Sequence, residues 1–185
     1  MSAAPALLLK SDLFGSVYRV SASDGRYVVV RDLGAARRGL RWLARALARR
    51  EARALRRLAG IEGLPALLHA DGERIERSWI DGRPMQLARP RDPAYFRAAA
   101  RLLRRLHAQD VAHNDLAKEP NWLVTPAGSP ALVDFQLAIC SRRRGRLFRA
   151  LARDDIRHLL KHKRTYLPER LTARERRILA TPSLP

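Results

Sequence analysis

The chain has 185 residues, 46% hydrophobic and 30% charged, a composition that folds as one domain or two small lobes and excludes a disordered polymer or a large multidomain assembly. Its 37 basic residues face 18 acidic ones, a formal net charge of +19, and only Lys10, Lys118, Lys161 and Lys163 are lysines. This arginine field suits polyanions (nucleic acid, an anionic membrane surface, phosphorylated substrates), or equally an arginine-biased surface spread along the chain. A single cysteine, Cys140, rules out an internal disulfide and fits a reducing compartment. No apolar run approaches the ~18 residues of a bilayer span, and Met1 to Leu9 lacks the basic start of a secretory signal. The expected location is the cytoplasm, with peripheral contact at the inner face of the membrane compatible with the charge.

Between Leu7 and Leu33, apolar runs separated by Phe14-Gly15 and Asp24-Gly25 predict three antiparallel strands. From Ala35 to Ala59 the period changes: Leu40, Leu43, Leu47, Leu55 and Leu58 form a helical stripe that Gly60 ends. Glu51 occupies the missing stripe position, four residues from both Leu47 and Leu55, which puts a carboxylate on the buried face. Residues 66–80 predict a strand pair turning at Asp71-Gly72, and 81–93 a linker ending in a helix start at Asp92-Pro93. Tyr95, Phe96, Ala99, Leu102, Leu103 and Leu106 mark the second long helix. A polar loop (113–121), a strand Trp122 to Val124, a turn and a strand Ala131 to Val133 follow, and beyond Phe135 the chain is helical and basic. The order predicts an α+β fold of two lobes, 1–80 and 81–185, with a cleft between them.

Asp115, Asn121 and Asp134 are oxygen donors delivered by loops and a strand end, a set that suits a hard cation such as Mg²⁺ and a proton taken from a hydroxyl. A buried Glu51 needs a cation, because an unpaired charge in a core is expensive. Arg31, on an adjacent strand, is the expected partner.

These residues carry a resemblance. His113-Asn114-Asp115-Leu116, with Asn121 and the later Val133-Asp134-Phe135, resembles the catalytic loop and D-F-G motif of the protein-kinase-like superfamily. Phe14-Gly15-Ser16-Val17-Tyr18 resembles the end of its Gly-rich loop, Val28-Val29-Val30-Arg31 its V-A-I-K strand, and Glu51 its helix glutamate. The resemblance implies a minimal two-lobed kinase fold that binds ATP and Mg²⁺ and phosphorylates a hydroxyl. Asp115 would be the catalytic base, Asn121 and Asp134 the metal ligands, and Lys118 the neutraliser of the transferred phosphoryl group. Gly15 and Val17 would line the nucleotide, and Arg31 would touch its phosphates and pair with Glu51. The short C-terminal lobe and the Asp134-Phe135-Gln136 motif are similar to the lipopolysaccharide core (Kdo and heptose) kinases and the RIO kinases. The acceptor is then a protein Ser/Thr or a lipopolysaccharide core sugar, and specific nucleic-acid binding is not expected.

The sequence departs from the family in three places. Arg31 stands where kinases have lysine, and the two cations are not interchangeable. The Gly-rich loop keeps only Gly15, with Lys10 as a cation available from the loop side. Asn121 follows Asp115 by six residues rather than five. These departures leave open a catalytically impaired pseudokinase, and the charge leaves open a polyanion-binding module. Asp154 or Asp155 would cap a helix or brace the catalytic loop. Arg142 to Arg146 reads as a solvated basic turn or a substrate contact, and His158 and His162 share a helix face without a third metal ligand.

Overall fold

A computed structural model describes residues 6–22 and 24–181. A five-stranded antiparallel sheet, in the order β1-β2-β3-β5-β4, is built from β1 (Leu7–Asp12), β2 (Gly15–Ser21), β3 (Tyr27–Asp32), β4 (Leu67–Ala70) and β5 (Arg74–Ser78). Both expected hairpins and the Asp71-Gly72 turn are present. The β1–β2 hairpin is tight: Asp12 pairs with Gly15, so only Leu13 and Phe14 form the turn.

Helix α1 spans Arg41–Arg57, shorter than the expected 35–59. The Asp32 carboxylate accepts the Gly34 amide at 2.8 Å and turns the chain, and one 3₁₀ turn over Arg38–Leu40 precedes the helix. The buried face is Ala44, Ala48, Glu51, Ala52, Ala54 and Leu55, whereas Leu40, Leu43 and Leu47 are only half-buried. Two arginines, Arg31 and Arg77, are buried on the underside of the sheet, the second of them against Glu51.

The expected linker holds short structure of its own. Strand β6 (Arg83–Pro84) and the single turn α2 (Met85–Ala88) lead to α3 (Pro93–Ala108), which Asp92 caps by accepting the Ala94 amide, with Pro93 in the first turn. A strand pair, β7 (Val111–Ala112) with β10 (Ile139–Cys140), escaped the sequence reading because two-residue strands leave no periodicity. Strand β8 (Trp122–Val124) lies between β6 and β9 (Pro130–Leu132), the latter one residue earlier than expected. Helices α4 (Arg146–Tyr166) and α5 (Ala173–Ala180) complete the chain.

One core joins the end of α1 to the helical part: Ala54, Leu55 and Leu58 pack with Leu103, Leu106, Trp122, Leu132 and Phe135. Each fully buried large side chain there contributes roughly 1.5–3 kcal/mol of transfer free energy. A smaller core of Leu33, Ala36, Ala44 and Ala48 sits beneath the β1–β2 turn against Phe14. Helix α1 therefore belongs to both halves, so Glu51 has a fixed position relative to the loops of the helical half.

Candidate functional site

The loop after β7 is anchored from below by α4. Asp155, 1% exposed, accepts the amides of His113 (2.9 Å) and Asn114 (3.0 Å) and also contacts His107 Nε2 at 3.0 Å. Helix α4 begins eight residues before Asp154, so neither aspartate caps it as expected, and of the two Asp155 is the brace. These bonds hold Asn114 in the left-handed region at φ 61° and turn the chain so that Asp115 leaves the core. His113 is fully buried; its Nε2 lies 3.0 Å from the Val133 carbonyl, which can only accept, so Nε2 carries the proton. Burial pushes the imidazole pKa down, against the field of Asp155, and keeps the ring neutral.

Asp115 Oδ2 accepts Lys118 Nζ at 2.9 Å and Asn121 Nδ2 at 3.0 Å. Asn121 Nδ2 also donates to the Asp115 carbonyl at 2.8 Å. Both amide protons of Asn121 are thus committed to Asp115, which turns its Oδ1 the other way, and the two donors converge on Oδ2 of Asp115, leaving Oδ1 clear of them. The bond to Asp115 raises the Lys118 pKa, with the field of Asp134 adding to it, so the ammonium stays charged. The Val133 amide donates to the Asn121 carbonyl at 3.1 Å, which sets Asp134 one residue beyond that pairing. Asp134 has φ 65°, and the 3₁₀ turn Phe135–Leu137 that follows buries Phe135 against the His113 ring at 4.6 Å between centroids. With the spacing of six residues, the chain passes through the 3₁₀ turn Glu119–Asn121 and Asn121 returns to Asp115.

The sheet side contains the main departure from expectation. Glu51 is 0% exposed, as its stripe position requires, but its ion-pair partner is Arg77, not Arg31: Arg77 Nη1 lies 2.8 Å from Glu51 Oε1. Register explains the difference. Val29 pairs with Arg77 and Arg31 with Ile75, so Arg31 and Arg77 share the underside of the sheet on neighbouring strands, and α1 places Glu51 against the second. A signal existed in the alternation of β5, where Ile75 and Arg77 point the same way. Arg31 is itself 3% exposed, and its Nε, both Glu51 oxygens and Arg77 Nη1 lack a hydrogen bond of good geometry among the described residues.

Gly15 has φ 124°, and a Cβ there would sit 2.2 Å from the Asp32 carbonyl oxygen. The approach of β3 alone therefore demands glycine. Val17, paired with Arg31, is buried in the sheet's underside. Lys10 pairs with Asp12 at 2.9 Å on exposed β1. Arg144, in the basic turn, bonds Asp110 Oδ1 at 2.6 Å, and His162 reaches the buried Leu116 carbonyl at 2.8 Å, so both hold loops in place.

The Asp134 carboxylate and the Asn121 amide oxygen, which is left free of the bonds to Asp115, are hard oxygens of the kind magnesium takes, although among the described residues no cluster of three or more His, Cys, Asp or Glu side chains is gathered to hold a metal ion. The unpartnered Nε of buried Arg31 is a donor of the kind that phosphate oxygens satisfy.

No protein-family model matches the sequence, and no curated protein matches it. Among solved structures 1659 chains match. One is the Rio2 kinase from Chaetomium thermophilum, with a TM-score of 0.69 at 16% identity. The fold is protein-kinase-like. The match covers 94% of this chain and 59% of that one, so this chain spans a little over half of that kinase's length.

Proposed function

We propose that this kinase-like chain is an ATP-dependent phosphotransferase acting on a hydroxyl, either of a protein Ser/Thr or of a lipopolysaccharide core sugar. The observation that carries the reading is the arrangement of Asp115: Lys118 and Asn121 converge on one of its oxygens, and Asp134 follows Val133, whose amide is hydrogen-bonded to the Asn121 carbonyl. Bound magnesium triphosphate supplies the phosphoryl group and neutralises its charge. Asp134 and Asn121 Oδ1 would hold the metal. Asp115 Oδ1 would accept the acceptor's proton and orient its oxygen, while Lys118, charged at neutral pH, faces the charge that develops on the phosphoryl oxygens. Arg31 would reach the phosphates from the sheet, and Gly15 and Val17 would lie over the nucleotide. The net charge of +19 favours an anionic acceptor, including a glycolipid at the inner face of a membrane. No helix among the described residues is long and apolar enough to cross a membrane, which is compatible with peripheral contact.

The test is a thermal shift with MgATP on the wild type and Asp134→Ala. Nucleotide at 100 times its Kd should stabilise the wild type by about 2.7 kcal/mol and the variant much less. An unmoved wild type would contradict nucleotide binding. A second reading, a nucleotide-binding module without turnover, is favoured by the Glu51–Arg77 pair, which leaves Arg31 without its carboxylate. Phosphotransfer that Asp115→Asn abolishes would exclude it.

A further inference from the structure

We infer that the groove between α1 and the β4–β5 hairpin binds a compact oligophosphate, a free ligand carrying two or three linked phosphate groups. The groove encloses 470 Å³ and is lined by five arginines, Arg49, Arg53, Arg56 and Arg57 from α1 and Arg74 from β5, against one carboxylate, Asp71. Asp71 offsets one of these five charges and leaves the groove strongly positive. Its Oδ1 accepts the amides of Glu73 (2.9 Å) and Arg74 (2.8 Å) and its Oδ2 lies 3.0 Å from His69 Nε2, so its oxygens are turned to closing the hairpin and not to the arginines of α1. Arg57 is held to the Ser141 carbonyl at 2.6 Å and Arg74 pairs with Glu76 at 2.8 Å. Arg49, Arg53 and Arg56 have no carboxylate within ion-pair distance among the described residues. Cations gathered at i, i+4 and i+7 repel one another, a cost that a bound polyanion removes.

The geometry selects a short ligand. From Arg49 to Arg57 the helix rises about 12 Å, the reach of a few linked phosphates. Toward the N-terminus the same face is already occupied: Arg45 pairs with Glu73 at 3.2 Å and Arg41 donates to the Gly34 carbonyl at 3.0 Å. A long nucleic-acid strand would need that continuation. The walls also matter, because Ala48 and Ala52 flank Glu51 on α1 and Ile75 precedes Arg77 by two on β5. A ligand bridging α1 and β5 here clamps the two elements that the buried ion pair joins.

This site is independent of the phosphotransfer reading. Calorimetry with sodium tripolyphosphate at ~0.2 M salt should give one binding event in the wild type. Arg49→Gln with Arg53→Gln should weaken it at least about tenfold, with a melting temperature no lower than that of the wild type. Arg104→Gln with Arg149→Gln removes the same charge from α3 and α4 and should leave Kd within about twofold. Equal weakening by both pairs, or no binding to the wild type, would overturn the proposal. So would full affinity in the groove variant, which would place tripolyphosphate elsewhere; a Kd that tightens with added magnesium in the wild type but not in Asp134→Ala would then locate it at the nucleotide site. A random single strand of about 20 nucleotides that needs Arg49 and Arg53 while tripolyphosphate does not bind would replace the compact ligand by nucleic acid.

Discussion

Replacing Arg77 by leucine strands a charge in the core. Glu51 is 0% and the Arg77 side chain 9% exposed, with 2.8 Å between the charged atoms. Burial pushes the Glu51 carboxyl up, while Arg77 first and Arg31 second pull it down. Deleting one partner of a buried pair costs about 3–5 kcal/mol, and at roughly 2–4 °C per kcal/mol for a chain of this size the melting temperature should fall by roughly 6–20 °C. Arg77→Leu with Glu51→Leu removes both charges and should regain about half of that loss or more. The pH dependence carries the sign. A carboxyl whose folded pKa lies above its unfolded value binds more protons in the folded state, so stability falls as pH rises through the interval between the two. Loss of Arg77 widens that interval upward, and the deficit of Arg77→Leu should be smaller at about pH 5 than at about pH 8. Urea unfolding at both values measures it. A single variant as stable as the wild type at the higher pH, a deficit independent of pH, or a double variant no better than the single one would refute the reasoning.

Asp155→Ala strands the His113 and Asn114 amides and should cost about 3–5 kcal/mol in urea unfolding, whereas Asp154→Ala should stay within about 0.5 kcal/mol. Gly15→Ala forces a Cβ onto the Asp32 carbonyl at a positive φ, and a loss of about 2 kcal/mol or more is expected by thermal melting; unchanged stability would mean that the β1–β2 turn relaxes freely. Lys118→Met, at a 62% exposed side chain, should leave the melting temperature unmoved but lower phosphotransfer by about 10²-fold. His113, neutral and buried, should show no NMR titration near its ordinary value of about 6.5, and a normal titration curve would contradict its burial.

Much of this arrangement is local and therefore legible in one dimension. Strand alternation, the Asp-Gly turns, the Asp92-Pro93 helix start and the stripe vacancy at Glu51 follow from backbone periods of 2 and 3.6 and from turn chemistry, which neighbouring residues decide among themselves. The meeting of Asp115 with Asn121 is local as well, since one loop carries both. What the chain could not reveal by itself is long-range: which arginine answers Glu51, which aspartate of α4 braces the loop, and why Gly15 is glycine. Each depends on the register between strands or on a helix packed from about 40 residues away, and register changes at the level of single residues while the pattern that announces a strand does not. Arg31 and Arg77 are alike as sequence, both cations on the inner face of a strand, and only the strand register together with the place of α1 against β5 distinguishes them.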